Sequence, residues 1–117
     1  MAKILIAEDD RTMRGLLSTL LELEGDQPVV VTQSTDILPT AEEIMPDLIL
    51  LDVHLAGADT FPALQELRNT PRLSEIPVIM ISGMGLREKC LRLGATTFIL
   101  KPFRPQELLQ RIRELVE

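Results

Sequence analysis

The sequence predicts a doubly wound α/β domain, a five-stranded parallel sheet with five helices, on three observations. Five short apolar runs recur along the chain, at 4–7, 29–31, 48–51, 78–81 and 98–100. Each is continuous rather than alternating, which is how a strand covered on both faces reads. The segments between them carry apolar residues at helical spacing. Strand–helix alternation of this kind gives parallel strands joined by right-handed crossovers, with helices on both sides.

The first run, Ile4-Leu5-Ile6-Ala7, is followed by Glu8-Asp9-Asp10 and then by Met13, Leu16, Leu17, Leu20 and Leu21. These five form one apolar stripe, and Gly25 stands where that helix stops. The second run leads into 34–45, which should carry the second helix but contains Pro39. Proline is tolerated only in a first turn, so this helix is irregular: short, or starting near Pro39. The third run ends at Asp52. Thr60 is placed to cap the third helix, with Pro62 in its first turn and Ala63, Leu64 and Leu67 on its inner face. The fourth run ends at Ser82-Gly83. The stretch Gly83-Met84-Gly85 leaves only 86–93 for a short fourth helix, about two turns. The fifth run ends at Lys101-Pro102. Pro105 opens the last helix, with Leu108, Leu109, Ile112, Leu115 and Val116 as its stripe and Val116-Glu117 as its end.

Composition narrows the function classes. The 117 residues suit one domain, spanning 1–117. No apolar stretch approaches the roughly 20 residues of a membrane-spanning helix, and the N-terminal apolar patch is too short for a signal peptide. With 12 Lys+Arg against 18 Asp+Glu, the net charge of −6 argues against direct nucleic-acid binding by this domain, which needs basic stripes. Three Phe and no Trp or Tyr leave no stacking platform for bases. The single Cys90 excludes a disulfide scaffold and fits a reducing, cytoplasmic compartment, with the thiol as a packing group.

In a parallel sheet of this type ligands sit at the carboxyl ends of the strands. Those ends supply Glu8-Asp9-Asp10, Asp52, Ser82 and Lys101. Carboxylates converging on one spot repel unless a cation joins them. An oxygen-rich, cysteine-free donor set suits a hard divalent ion, Mg²⁺ first and Mn²⁺ as its alternative. A divalent ion with a neighbouring ammonium and hydroxyl is apparatus for a transferring phosphoryl group, and a carboxylate can itself be the nucleophile. The chain has no P-loop pattern, so the phosphoryl donor is another molecule. The acids at 8–10 also suit the N-terminus of the first helix, where negative charge is favourable.

Four pieces resemble, in order, the receiver (CheY-like) domain of two-component response regulators. They are Lys3-Ile4-Leu5-Ile6-Ala7-Glu8-Asp9-Asp10, Pro46-Asp47-Leu48-Ile49-Leu50-Leu51-Asp52, Ile76-Pro77-Val78-Ile79-Met80-Ile81-Ser82-Gly83 and Gly94-Ala95-Thr96-Thr97-Phe98-Ile99-Leu100-Lys101-Pro102-Phe103. The resemblance covers essentially the whole chain. It implies a flavodoxin-like strand order of 2-1-3-4-5. It makes Asp52 the phosphorylated carboxylate, with Asp9 on the metal directly, Glu8 through water, and the backbone carbonyl of His54 as a further ligand. Lys101 pairs with the phosphoryl oxygen, or with Asp52 at rest. Ser82 turns to the phosphoryl group and Phe98 follows it inward as the switch pair. A cis peptide precedes Pro102. The implied partners are a sensor histidine kinase or histidine phosphotransfer protein and an output domain or protein partner, with a phosphorylation-dependent dimer as a further form. The domain would be a signalling switch that promotes its own phosphorylation and slow dephosphorylation, not a metabolic enzyme.

The chain departs from that pattern in three places. Where the family usually has Pro-Gly and later Asp-Gly, this sequence has Ala56-Gly57 and Asp59-Thr60, and the loop is expected to survive the change. The segment from Ser82 to Lys101 is about three residues short by comparison with the family. Pro39 is unusual in the second helix. These departures keep open a second reading, a phosphorylation-independent interaction module on the same fold. A third, a cobalamin-binding module, rests on Asp52-Val53-His54-Leu55-Ala56-Gly57 matching Asp-x-His-x-x-Gly. That motif follows the third strand here, lacks a Gly-Gly element, and leaves the acidic triplet and Lys101 without a role.

Overall fold

The computed structural model describes residues 1–116; the expected helix end at Glu117 lies outside the described residues. In chain order the elements are β1 (Lys3–Ala7), α1 (Arg11–Leu23), β2 (Gln27–Val31), a 3-10 turn (Ser34–Asp36), α2 (Ile37–Ile44), β3 (Leu48–Asp52), β4 (His54–Leu55), β5 (Ala58–Asp59), α3 (Phe61–Asn69), β6 (Val78–Ser82), α4 (Arg87–Arg92), β7 (Thr97–Leu100) and α5 (Pro105–Val116). The main sheet has the order β2-β1-β3-β6-β7, and every pairing in it is parallel. With the short β4 and β5 set aside, this is the expected 2-1-3-4-5 order. No helix among the described residues is long and apolar enough to cross a membrane.

Both faces of the sheet are covered, as the continuous apolar runs require. Ile4, Ile6, Leu48, Leu50, Ile79, Ile81 and Ile99 pack under α1 and α5 through Leu17, Leu21, Leu108 and Ile112. Leu5, Ile49, Leu51, Val78, Met80 and Phe98 pack under α2, α3 and α4 through Ile37, Ala41, Leu64, Leu67 and Cys90. Each buried Leu or Ile contributes about 1.5–3 kcal/mol relative to exposure. The alternation within each strand therefore makes a one-residue register slip costly on both faces at once.

The helix ends follow local chemistry. Asp10 caps α1, its Oδ2 accepting the Met13 N–H at 2.8 Å. Gly25, at φ 86°, closes the other end: its N–H reaches the Glu22 carbonyl and the Asp26 N–H reaches that of Leu21. That left-handed turn is where glycine avoids a Cβ penalty. Pro39 lies in the first turn of an eight-residue α2, so the helix is short, as expected. α4 is six residues, inside the expected 86–93. β2 extends back to Gln27 and Pro28, beyond its apolar run; it is an edge strand, where a missing N–H is tolerated.

Two distant fastenings have no local signature. Asp26, with a fully buried side chain, accepts the Ala2 N–H at 3.0 Å and pairs with Arg113. This ties the N-terminus to the far end of α5. Arg68 on α3 donates to the carbonyls of Gly94 (2.8 Å), Ser74 (3.1 Å) and Ile76 (2.8 Å). It thereby holds the turn after α4 and the loop before β6 in one bracket.

The segment after Asp52, expected to survive the loss of the family's proline, is a short hairpin. Residues 54–59 form a tight hairpin in which His54 pairs with Asp59 and Leu55 with Ala58. The two turn residues, Ala56 at φ 50° and Gly57 at φ 83°, are both left-handed. That is the type I′ pattern of two-residue hairpins. A proline cannot adopt φ 50°, so the Ala56 departure goes with a different turn. The strain at exposed Ala56 is testable. Ala56→Gly is expected to raise unfolding stability by about 1 kcal/mol, and Ala56→Pro to lower it by more than that, both read as urea-denaturation midpoints.

Candidate functional site

The site forms where β1, β3, β6 and β7 end on one edge of the sheet. β1 and β3 are neighbours, and their register sets Ala7 beside Leu51. Glu8 and Asp52, each next after that level, therefore emerge side by side, with Asp9 one residue further on. A carboxylate oxygen from each lies within 4.8 Å of the others, with Glu8 and Asp52 buried and Asp9 exposed. β7 brings Lys101 to the same place through the β6 pairing, the Lys101 N–H donating to the Ser82 carbonyl at 2.8 Å. The peptide between Lys101 and Pro102 is cis.

Lys101 Nζ donates to Asp52 Oδ2 at 2.8 Å and to Glu8 Oε1 at 3.3 Å. The other Asp52 oxygen, Oδ1, accepts the backbone N–H of His54 at 3.2 Å. Glu8 Oε2 accepts the Asp10 N–H at 3.1 Å. Every carboxylate oxygen of the buried pair thus has a partner. Burial pushes the Glu8 carboxyl above its ordinary value; the Asp10 N–H pulls against this, while the Asp52 charge adds to it. Burial alone would lower the Lys101 ammonium, but its hydrogen bond to Asp52 and the charges of Asp52 and Glu8 outweigh that and hold it above its usual value.

Three carboxylates and one ammonium leave an excess of negative charge, and the donors are all oxygen. This set fits a hard divalent cation, and the cluster of Glu8, Asp9 and Asp52 could hold one. Asp10 stands apart: of the acids at 8–10 it serves as the α1 cap, while Glu8 meets Lys101.

The other expected residues sort as follows. Ser82 is buried, and its Oγ accepts the Met84 N–H at 3.0 Å. Phe98 is buried in the core beneath α3 and α4. His54 has an exposed side chain, and its backbone is what meets Asp52. Cys90 is a buried packing group whose thiol burial pushes up.

Thr60 corrects the sequence expectation. It precedes α3 but makes no side-chain cap. Asp59 Oδ1 instead accepts the Phe61 N–H at 3.0 Å. The Thr60 hydroxyl is fully buried and turns back to the end of β3, donating to the Asp52 carbonyl at 2.7 Å. Threonine before a proline-containing first turn reads as a cap in sequence, and only the folded hairpin reveals the competing acceptors.

Comparison with known proteins gives a consistent result. The family model described as "Response regulator receiver domain" matches residues 4–113. The phosphate regulon transcriptional regulatory protein PhoB of Escherichia coli K12 is 34% identical over 117 residues, covering 97% of this chain and 51% of that protein. The chain spans about half the length of the curated relatives it matches. The BeF3-activated N-terminal receiver domain of RstA from Klebsiella pneumoniae superposes with a TM-score of 0.90 at 27% identity over 98% of both chains. The receiver domain of sensor histidine kinase PA1611 from Pseudomonas aeruginosa PAO1, solved with magnesium in its active-site cleft, gives 0.89 at 26% identity over 98% of this chain and 97% of that one.

The raised Glu8 value has a definite sign. A carboxyl raised on folding favours the folded state below its ordinary value of 4.5, and that contribution is lost as pH rises through the higher folded value. Since the Asp52 charge is one of the upward causes, Asp52→Asn is expected to move the Glu8 midpoint down. A carboxyl-carbon NMR titration of both proteins measures this; an unmoved or raised midpoint would contradict the coupling.

Proposed function

The chain belongs to the response regulator receiver domain family, and from that premise we propose that residues 1–117 act as a phospho-accepting switch with Asp52 as the acceptor. The observation that carries this reading is the Asp52 carboxylate. It ends a central strand, is buried, has one oxygen on Lys101 and the other on the His54 N–H, and lies within reach of two further acids.

Glu8, Asp9, Asp52 and the His54 backbone carbonyl would hold Mg²⁺, or Mn²⁺ in its place. When bound, the ion supplies charge neutralisation for the incoming phosphoryl oxygens. The chain's own residues do the rest. An Asp52 carboxylate oxygen forms the new P–O bond as the P–N bond to a donor phosphohistidine breaks, and the imidazole leaves with the electron pair. The product is an acyl phosphate on Asp52. Lys101 exchanges its Asp52 contact for a phosphoryl oxygen, so its charge stays on the reacting group. Ser82 gives up its Met84 contact and donates its hydroxyl to the new dianion. Phe98, under the same face of the sheet, takes the space that movement leaves. Two packings of this kind, separated by a few kcal/mol, make a switch.

The donor in this reading is a sensor histidine kinase or a histidine phosphotransfer protein. The response passes to an output domain or protein partner, with a phosphorylation-dependent dimer as one form. PhoB is a transcriptional regulator, which supports an output outside the residues described here. The domain promotes its own phosphorylation and its slow reversal, and works in the cytoplasm.

Intact-protein mass after incubation with acetyl phosphate and Mg²⁺ is expected to show a gain of one phosphoryl group, absent in Asp52→Asn. Lys101→Ala is expected to retain metal binding within about threefold, since Lys101 is no ligand, yet to lose the partner response. No gain with either acetyl phosphate or a phosphohistidine donor would favour the phosphorylation-independent interaction module.

A further inference from the structure

We propose that Thr60 is a positioning residue for the acceptor, its buried hydroxyl setting the direction of the peptide N–H that holds Asp52 Oδ1. The inference rests on reading Asp52 as the acceptor, and concerns a residue at the place where the family usually has glycine.

The geometry runs through two peptide planes. The Thr60 hydroxyl donates to the Asp52 carbonyl at 2.7 Å and lies 3.2 Å from the Val53 carbonyl. The Thr60 backbone N–H also donates to the Val53 carbonyl, at 2.8 Å. The Val53 carbonyl and the His54 N–H belong to one rigid peptide unit and point in opposite directions. Clamping the oxygen on one side therefore aims the N–H on the other, and that N–H meets Asp52 Oδ1 at 3.2 Å. The preceding peptide is pinned in the same way: its carbonyl, from Asp52, takes the Thr60 hydroxyl, and its N–H, from Val53, donates to Ile81 at 2.9 Å. Both peptides flanking Val53 are thus tied to Thr60 at one end and to a site or sheet contact at the other.

This arrangement decides how the two Asp52 oxygens are divided. With Oδ1 on the His54 N–H, Oδ2 is left for Lys101 at 2.8 Å. Without the hydroxyl, two buried carbonyls lose a donor, the Val53–His54 peptide can tilt, and Oδ1 loses its fixed partner. Thr60 carries no solvent exposure and leaves the helix-capping role to Asp59, so its hydroxyl serves the acceptor strand rather than α3.

The test compares Thr60→Val with Thr60→Ser. Thr60→Gly, the residue type the family usually has here, removes the hydroxyl should the valine variant not fold. The first readout is the His54 amide by proton–nitrogen NMR without metal. In the hydroxyl-free variant its proton is expected to shift upfield with about tenfold faster solvent exchange, while Thr60→Ser keeps the parent values. The second readout is the phosphorylation rate with acetyl phosphate and Mg²⁺, expected to fall roughly tenfold without the hydroxyl and to stay within about twofold with serine. A hydroxyl-free variant with the parent amide position and rate would overturn the proposal. So would a serine variant that falls as far as the valine or glycine one. If the parent itself gains no phosphoryl group, the functional reading fails, and the amide readout alone judges Thr60.

Discussion

Lys101 reaches Asp52 at 2.8 Å and Glu8 at 3.3 Å, and this one ammonium lets two buried carboxylates share the end of a sheet. Unpaired, such carboxylates would be driven toward their neutral forms. Paired, Asp52 has one oxygen on the Lys101 ammonium and the other on the His54 N–H. The cost appears at Glu8, which burial and the Asp52 charge push upward. The rest of the structure serves this convergence. β1 and β3 must be adjacent and parallel to bring Glu8, Asp9 and Asp52 together. β7 must lie beyond β6 for a residue ninety-three positions from Glu8 to reach it. The three acids outnumber this one ammonium, so the cluster keeps an excess of negative charge that a hard divalent cation could take up.

The segment leaving Asp52 is more ordered than its composition suggests. A type I′ turn at Ala56-Gly57 folds 54–59 into a hairpin, and Thr60 closes it against the end of β3. The backbone at Asp52 and Val53 is consequently held from two directions, by β6 through the Val53 N–H to Ile81 and by Thr60 through the Asp52 and Val53 carbonyls. The left-handed alanine carries local strain, which the pairing of β4 with β5 opposes. Departures from the family pattern at 56 and 60 thus occur in one structural unit.

The opposite side of the site is arranged differently. α4 is only six residues long, and a helix of that length has little stability of its own. Its position comes from buried Cys90, from Lys89 lying 4.5 Å from the centre of the Phe61 ring, and from the Arg68 bracket on the turn that follows. Burial lowers the Arg68 guanidinium from its usual value, yet its three carbonyl partners keep it satisfied. Phe98 packs in the core beneath this group, under the shortest of the α-helices among the described residues.

Much of this was legible in the sequence because it depends on short-range patterns. Continuous apolar runs marked strands buried on both faces, Gly25 marked a helix end, Pro39 and Gly83-Met84-Gly85 marked two short helices, and residues following strands 1, 3, 4 and 5 marked the site. Tertiary structure alone decided the rest. Thr60 looked like a cap because its neighbours are those of a helix start; its hydroxyl chose carbonyls seven and eight residues back only once the hairpin had folded. Arg68 and Asp26 carry no local signal of their roles, since their partners lie up to 28 and 87 residues away. Local residue order sets periodicity, caps and the ends of strands. Which buried polar groups satisfy one another depends on distances that exist only after the sheet, with its helices on both faces, has assembled.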